Sequence, residues 1–142
     1  MTPLQGIRRF LFAILILGMG GTAIELLLLK HDEDAFQLIP LGLLAAGLVV
    51  VTAHALRPST ASARTVRLTM AAFIAAGLAG LYFHYKANVE FQLESDPTLA
   101  GRALLMKVLE AKAPPALAPG VMIQLGLVGL AYTFRYKEHE PL

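Results

Sequence analysis

The chain has 142 residues, of which 56% are hydrophobic and 15% are charged, and its formal net charge at pH 7 is +2. Soluble globular domains carry roughly 25% charged residues, so this composition excludes an ordinary soluble domain. The sequence contains no cysteine, which excludes disulfides, thiolate metal sites and cysteine nucleophiles. Its basic residues flank apolar segments, which is typical of a membrane protein and argues against nucleic-acid binding.

Long apolar segments predict four membrane-spanning helices, at about residues 8–29, 36–56, 66–86 and 118–136. Each segment is close to the roughly 20 residues that cross the hydrocarbon core of a bilayer as a helix. We interpret the first as an uncleaved span rather than a secretory signal, because its apolar run continues through Leu26 to Leu29. The predicted fold is therefore an all-α integral membrane bundle of four transmembrane helices, forming one domain over residues 1–142.

Short polar connections separate these predicted helices. The first connection is mainly acidic, and its Asp34 is the predicted N-cap of the second helix. Residues 57–64 form the second connection, in which Pro58 ends one helix and hydroxyl side chains cap the next.

The third connection is the longest, at about residues 86–118, and predicts an extra helix. Asp96 followed by Pro97 is typical of an N-cap with proline at the first helical position. Apolar and charged residues then fall on separate faces, which predicts an amphipathic outer-surface helix at about residues 97–112. Residues 89–94 alternate apolar and polar side chains, which indicates either an extended segment or an amphipathic continuation of the third helix.

Basic residues indicate the orientation of the bundle. Lysine and arginine are concentrated on the side that holds both termini, whereas acidic residues are concentrated on the side of the first and third connections. Because basic residues favour the cytoplasmic side, we expect both termini inside the cell, in what is most simply a bacterial inner membrane. The expected partners are membrane lipids and other transmembrane subunits, with a homo-oligomer as an alternative and no nucleic acid.

Small residues recur on one face of each predicted span. Such faces favour close packing of helices, either within the bundle or against a partner. The four faces consist of Gly18, Gly21 and Thr22; Gly42, Ala46 and Ala53; Ala72, Ala76 and Gly80; and Gly126, Gly129 and Thr133.

Glu25 is the main candidate for chemistry, because it is the one charged residue between Phe10 and Leu29. It follows Gly21 by four residues, so we expect it to share that face and to point towards a neighbouring helix. A carboxylate at this depth needs a partner or water. The partners predicted by depth near the outer face are His84, Gln124, Gln37 and Tyr82. A Glu–His pair would bind a cation or relay a proton; the alternative is that Glu25 reaches the headgroups and His84 belongs to an aromatic rim.

Enzyme motifs are absent from the sequence, including a glycine-rich phosphate loop, G-x-S-x-G and H-E-x-x-H. We therefore predict no catalytic residue, no metal site and no cofactor, while a bound lipid is compatible with the sequence. An outer metal site is a weaker alternative, with ligands drawn from His31, His84, Asp32, Asp34, Glu90 and Glu94.

The favoured function is a non-catalytic accessory or structural subunit that packs laterally in a larger membrane protein complex. Short spans, little polar mass and several small-residue faces support this interpretation. One alternative is a self-standing homo-oligomeric transporter or cation- or proton-coupled carrier that uses Glu25. The other is a lipid-modifying membrane enzyme that acts at the outer surface.

Overall fold

The computed structural model describes residues 2–30, 36–110 and 117–136. Within these ranges 85% of the residues are helical and none lies in a strand, which confirms the all-α prediction. The helices are α1 (Pro3–Leu28), α2 (Leu38–Leu56), α3 (Thr60–Ser95), α4 (Gly101–Leu109) and α5 (Leu117–Tyr132).

Three of these helices, α1, α2 and α3, are long and apolar enough to cross a membrane. The apolar helix α5 has 16 residues, which span about 24 Å at a rise of about 1.5 Å per residue, less than the roughly 30 Å of a bilayer core. After α5 the chain continues in hydrogen-bonded turns to Tyr136. Membrane crossing by three helices is thus supported by length and composition, and the fourth crossing stays a prediction.

Helices α1, α2, α3 and α5 form a ring, in which α1 contacts α2 and α5, and α3 contacts the same two helices. Neighbouring helices of the ring are antiparallel, because the end of one helix lies beside the start of the next. Leu26, Gln37 and His84 line one groove at the first end, which we call the His84 end. Arg8 and His54 both contact the ring of Tyr136 at the opposite end, which we call the Arg8 end.

Glycines allow α3 and α5 to pack with their backbones in close approach. A Cβ atom on Gly77 would lie 2.7 Å from the carbonyl oxygen of Pro119, and one on Gly126 would lie 2.8 Å from that of Met70. These distances leave no room for a side chain at either position, so the contact depends on glycine.

The small-residue faces predicted from the sequence have different environments. The α5 face is buried against α3, as expected for a packing face. The α2 face, formed by Gly42, Ala46 and Ala53, is exposed, and Gly47 is buried against Met19 instead. Because α2 is apolar on every side, its sequence did not distinguish the packed face from the exposed one.

Local side-chain caps begin two of the helices. Thr2 and Gln5 form a capping box at the start of α1, and Ser59 and Ser62 form another at the start of α3. The connection between α2 and α3 is therefore shorter than the predicted 57–64. The predicted N-cap of α2, Asp34, lies outside the described residues.

Helix α3 extends well beyond its predicted end near residue 86. It continues without a break to Ser95, so residues 89–94 form the helical continuation and not an extended segment. Its 36 residues give a length of about 54 Å, which exceeds the roughly 30 Å of a bilayer core. The last turns of α3 therefore project beyond the bundle.

The predicted N-cap of the outer helix is wrong. Asp96 accepts hydrogen bonds from the backbone N–H and the hydroxyl of Thr98, at 3.1 Å and 2.6 Å. In this turn the Asp96 carboxylate bonds to the residue two positions later instead of capping a helix. Helix α4 therefore begins only at Gly101. Helix α4 packs against α3 and buries Val108; the predicted end near residue 112 lies outside the described residues.

Candidate functional site

The structure separates the five polar residues that were predicted to form one site: Glu25, His84, Gln124, Gln37 and Tyr82. His84 and Gln37 line the same groove at the His84 end. Glu25 and Gln124 are exposed on the outside of the bundle. Tyr82 is 62% exposed and stacks edge-on against the neighbouring ring of Phe83.

We predicted that Glu25 points towards a neighbouring helix, but the structure places it on the exposed surface of α1. The buried side of α1 is formed by Leu15, Met19, Thr22 and Leu26, which recur at the spacing of one helical face. Glu25 lies beside this stripe on the outer surface of α1. The sequence alone did not show this, because nearly all other residues around it are apolar.

The groove at the His84 end has a volume of about 600 Å³ and receives residues from all four helices of the ring. The small residues Ala76, Ala79 and Gly80 of α3 make room for it, and its polar lining comes from Gln37 and His84 together with a threonine of α1. Among the residues that the structure describes, no acidic side chain lines the groove and most lining residues are apolar, which suits an apolar molecule. Over the described ranges, no three His, Asp or Glu side chains are grouped to hold a metal ion; the weaker metal-site alternative also used residues outside these ranges.

A buried polar cluster at the Arg8 end was not singled out from the sequence. We define the Arg8 cluster as Arg8, His54, Ser62, Tyr132 and Tyr136. Arg8 is 2% exposed and His54 is 0% exposed, although polar and charged side chains are seldom fully buried. Four helices, α1, α2, α3 and α5, contribute to this cluster, together with Tyr136, which follows the last residue of α5 by four positions.

His54 lies at the centre of the Arg8 cluster. Its Nδ1 is 2.7 Å from the hydroxyl oxygen of Ser62. Its ring meets the rings of Tyr132 and Tyr136 nearly at right angles, with centroids 5.7 Å and 4.9 Å apart. The guanidinium carbon of Arg8 is 5.8 Å from the centre of the Tyr136 ring, within the range of a cation–π contact.

Arg67 joins α3 to the end of α5 beside this cluster. Its Nη2 donates to the carbonyl oxygen of Thr133 at 2.6 Å, and its Nε donates to the Thr133 hydroxyl at 3.4 Å. Thr133 itself is fully buried. A second guanidinium group is thus held by hydrogen bonds at the same end of the bundle.

Three polar atoms of the Arg8 cluster are buried without a hydrogen-bond partner among the residues that the structure describes: Nε2 of His54 and the hydroxyls of Tyr132 and Tyr136. Leaving such atoms unsatisfied costs about 1–3 kcal/mol each. The acidic residues in the described ranges lie in the second half of α1, near the end of α3 or directly after α3 and α4: Glu25, Glu90, Glu94, Asp96 and Glu110. Within the described ranges, the charged side chains at the Arg8 end are therefore basic.

The sequence did contain a signal for this cluster. Arg8 lies near the start of α1, His54 near the end of α2 and Tyr132 at the end of α5. In an antiparallel ring these positions fall at the same level, so polar residues there are expected to meet. The contacts of Tyr132 and Tyr136 with His54 were not predicted from the sequence.

The described residues thus form a helical bundle in which three helices are long and apolar enough to cross a membrane and a buried polar cluster lies at one end. The sequence matches no protein-family model and no curated protein, and the structure matches no solved structure.

Proposed function

We propose that this chain is an integral membrane protein that serves as a non-catalytic accessory subunit and packs sideways against a transmembrane helix of another polypeptide. The observation that carries the proposal is the exposed position of Glu25 on an apolar helix, next to exposed Gly21.

Glu25 is surrounded by exposed apolar side chains of α1. Leu17 is 75% exposed, Ile24 is 61% exposed and Leu28 is 79% exposed. In hydrocarbon, a carboxylate on such a surface costs several kcal/mol unless it is paired, neutralised or hydrated. A hydrogen-bond donor or a cation from a neighbouring helix would supply this compensation.

Gly21 provides the space for such a helix. A Cβ atom at Gly21 would meet no atom within 4 Å, and small residues on an exposed helix surface allow a second backbone to approach closely. Gly21, Glu25 and Leu28 are spaced by four and three residues, so they share one face. We call these three residues the α1 docking face.

The proposed location is a bacterial inner membrane with both termini in the cytoplasm. The support is the charge at the Arg8 end, which carries Arg8, Arg57, Arg64, Arg67 and Arg135. Basic residues at one end of a helical bundle favour the cytoplasmic side.

Gentle detergent extraction from the native membrane, followed by sizing and mass analysis of the particle, tests the proposal. We expect the wild-type chain to elute with other polypeptides in a fixed ratio. Gly21→Leu should release it, because the added side chain blocks close approach, and Glu25→Leu should weaken the association. Gly42→Leu is the matched control, since Gly42 is also exposed, has nothing within 4 Å of its built Cβ and lies on α2.

Elution of the chain alone as a monomer would overturn the accessory function. Elution as a homo-oligomer that Gly21→Leu dissociates would favour the second candidate, a homo-oligomeric transporter or a cation- or proton-coupled carrier. The exposed carboxylate supports that candidate too, because self-association would place two Glu25 side chains at one interface. In that case Glu25→Gln should leave the oligomer intact and abolish transport.

A further inference from the structure

We propose that the groove at the His84 end binds one acyl chain of a membrane phospholipid, whose ester groups lie at the level of Gln37 and His84. We call this groove the His84 groove. The inference rests on the membrane location in the proposed function, but not on the α1 docking face. Its support is the length of the groove, its volume and the change in its lining from apolar to polar.

The His84 groove runs along α3 for the depth of one membrane leaflet. Its lining residues on α3 extend from Ala76 to Ala87, a distance of about 17 Å at a rise of about 1.5 Å per residue. One leaflet is half of a hydrocarbon core of roughly 30 Å, so it is about 15 Å deep. Ala76 is the midpoint of the predicted span at residues 66–86, and Ala87 directly follows that span. The groove therefore extends from the middle of the membrane to its boundary, in the direction that acyl chains follow.

The lining of the His84 groove changes along this length. Its inner part is formed by apolar residues such as Ala76 and Met122, with Thr22 as a largely buried polar residue. Gln37 directly precedes α2, and His84 follows Ala76 by more than two helical turns, so both belong to the outer part. An amide and an imidazole donate hydrogen bonds, which suits the carbonyl oxygens of a lipid's ester groups. The order of apolar and polar residues thus matches the order of the parts of a phospholipid.

Large apolar side chains at the groove are available for contact with an acyl chain. Phe36 is 79% exposed, Phe83 is 60% exposed and Ile39 is 51% exposed, and all three line the groove. A void along such walls would lose dispersion contacts, and water does not favour apolar surface. Hydrocarbon is therefore the favoured filling of the groove at this depth.

The volume of the His84 groove favours a single acyl chain over a transmembrane helix of a partner. The groove holds about 600 Å³, whereas one helical turn, about 5.4 Å long and about 10–12 Å wide, already fills roughly 400–600 Å³. A helix would thus enter by about one turn, while an acyl chain is thin enough to follow the whole length. A strongly polar ligand is disfavoured, because most of the described lining residues are apolar.

Fluorescence quenching of the purified full-length chain in detergent micelles tests the proposal. The chain contains no tryptophan, so an introduced one reports only on its own surroundings. Phe83→Trp places this reporter in the groove, at a position that already holds an exposed aromatic ring. The probe is phosphatidylcholine with a dibrominated acyl chain, because bromine quenches a tryptophan that it contacts. We expect quenching that saturates with a single bound lipid per chain.

Leu78→Trp is the matched control for the reporter. Leu78 is 56% exposed on the same helix and does not line the His84 groove. Its quenching should rise in proportion to the lipid content of the micelle and should not saturate. A Phe83→Trp reporter that behaves in the same unsaturated way would overturn the proposal.

Filling the His84 groove should remove the saturable quenching. Ala79→Phe, made in the Phe83→Trp chain, adds a ring to the groove from an exposed position. We expect it to weaken the apparent affinity for the probe by about tenfold or more, since displacing even two buried methylene groups has this effect. Ala87→Phe, also exposed and at the outer end of the groove, serves if circular dichroism shows that Ala79→Phe does not fold.

Ala46→Phe is the control for the added ring, because Ala46 is exposed on α2 and does not line the groove. It should keep the affinity of the Phe83→Trp chain. Equal affinities in the Ala46→Phe variant and the folded groove-filling variant would overturn the proposal.

Competition identifies the source of the acyl chain. Unlabelled phosphatidylcholine should restore the fluorescence of Phe83→Trp. Restoration by a free fatty acid but not by phosphatidylcholine would overturn the phospholipid proposal in favour of a fatty-acid site. Quenching is measured on the purified chain and lateral association on the native particle, so either proposal can fail while the other stands.

Discussion

The two ends of the bundle differ in how far they bury a histidine side chain. His54 at the Arg8 end is fully buried and contacts two tyrosine rings. His84 at the other end is exposed and lines an open groove of about 600 Å³. Each histidine lies in a helix with a long apolar stretch, so the residue type and the helix type do not explain the difference. The difference arises from the helices that surround each histidine.

The arrangement of α3 accounts for much of this contrast. Its first turns bury Ala63 and Val66 in the bundle, and the exposed Arg67 bonds to Thr133, which follows α5. Its last turns continue to Ser95, beyond the level of its ring neighbours, and small residues open the groove just before them. Ser62 at the start of α3 is thus half-buried beside His54, whereas His84 towards the end of the helix is exposed.

The largest expected effect comes from removing the central side chain of the closed end. His54→Ala deletes a fully buried ring, its contact with Ser62 and its packing against two tyrosines. We expect it to lower the free energy of unfolding by about 2–4 kcal/mol. Equilibrium unfolding in detergent micelles, followed by circular dichroism, measures this change.

The control for His54→Ala is His84→Ala at the open end. Because His84 is exposed, its replacement should change the free energy of unfolding by no more than about 0.5 kcal/mol. Equal losses in the two variants would show that the two ends are equally closed.

A smaller effect is expected at the close contact between α3 and α5. In Gly126→Ala, the added methyl group would lie 2.6 Å from Cγ1 of Ile74 and 2.8 Å from the Met70 carbonyl oxygen. Such overpacking should cost about 1–3 kcal/mol in the free energy of unfolding. Gly42→Ala meets no atom within 4 Å and should be stabilising by up to about 1 kcal/mol, because alanine favours a helix. A stabilised Gly126→Ala would contradict the close α3–α5 packing.

The smallest effect is expected in the turn after α3. Hydrogen bonds from the hydroxyl and the backbone N–H of Thr98 lower the pKa of Asp96 below its ordinary value of 3.8. A lowered folded-state pKa means that the carboxylate stabilises this turn above 3.8, and that the contribution is lost as the pH falls through the lower folded value. The Thr98 amide should therefore keep its hydrogen bond down to this acidic range.

Amide proton chemical shifts of Thr98 across a pH titration measure this effect. Asp96→Asn is the control, because an amide side chain does not titrate in this range and should give a flat profile. A Thr98 transition at or above 3.8 in the wild type would contradict the lowered pKa. No change in the overall unfolding of the bundle is expected from this exposed group.

Helix identity was predictable from the sequence because each long apolar segment favours a helix in which all backbone groups are bonded internally. The starts and ends of the helices were less predictable. Asp96 followed by Pro97 has the pattern of an N-cap, yet the carboxylate bonds to Thr98 in a turn and α4 starts at Gly101. Two local interactions compete at such a position, and the sequence pattern fits both.

The candidate site was predictable only in part. His84 and Gln37 do line one groove, because depth along antiparallel helices can be counted from the sequence. Glu25 lies outside this groove, and the Arg8 cluster was missed although each of its helices was expected. For Glu25 the predicted direction of the side chain differs from its exposed position, and for the Arg8 cluster no contact was predicted.

The sequence by itself determined the helical class, the apolar lengths and the separation of basic from acidic ends. Only the tertiary structure decided which face of each helix is enclosed, and so placed Glu25 outside and His54 inside. The physical reason is that a helix that is apolar all round carries no stripe to mark its buried side. The buried side is selected by close packing at glycines and by the antiparallel arrangement of the ring. Both features depend on contacts between residues far apart in the chain.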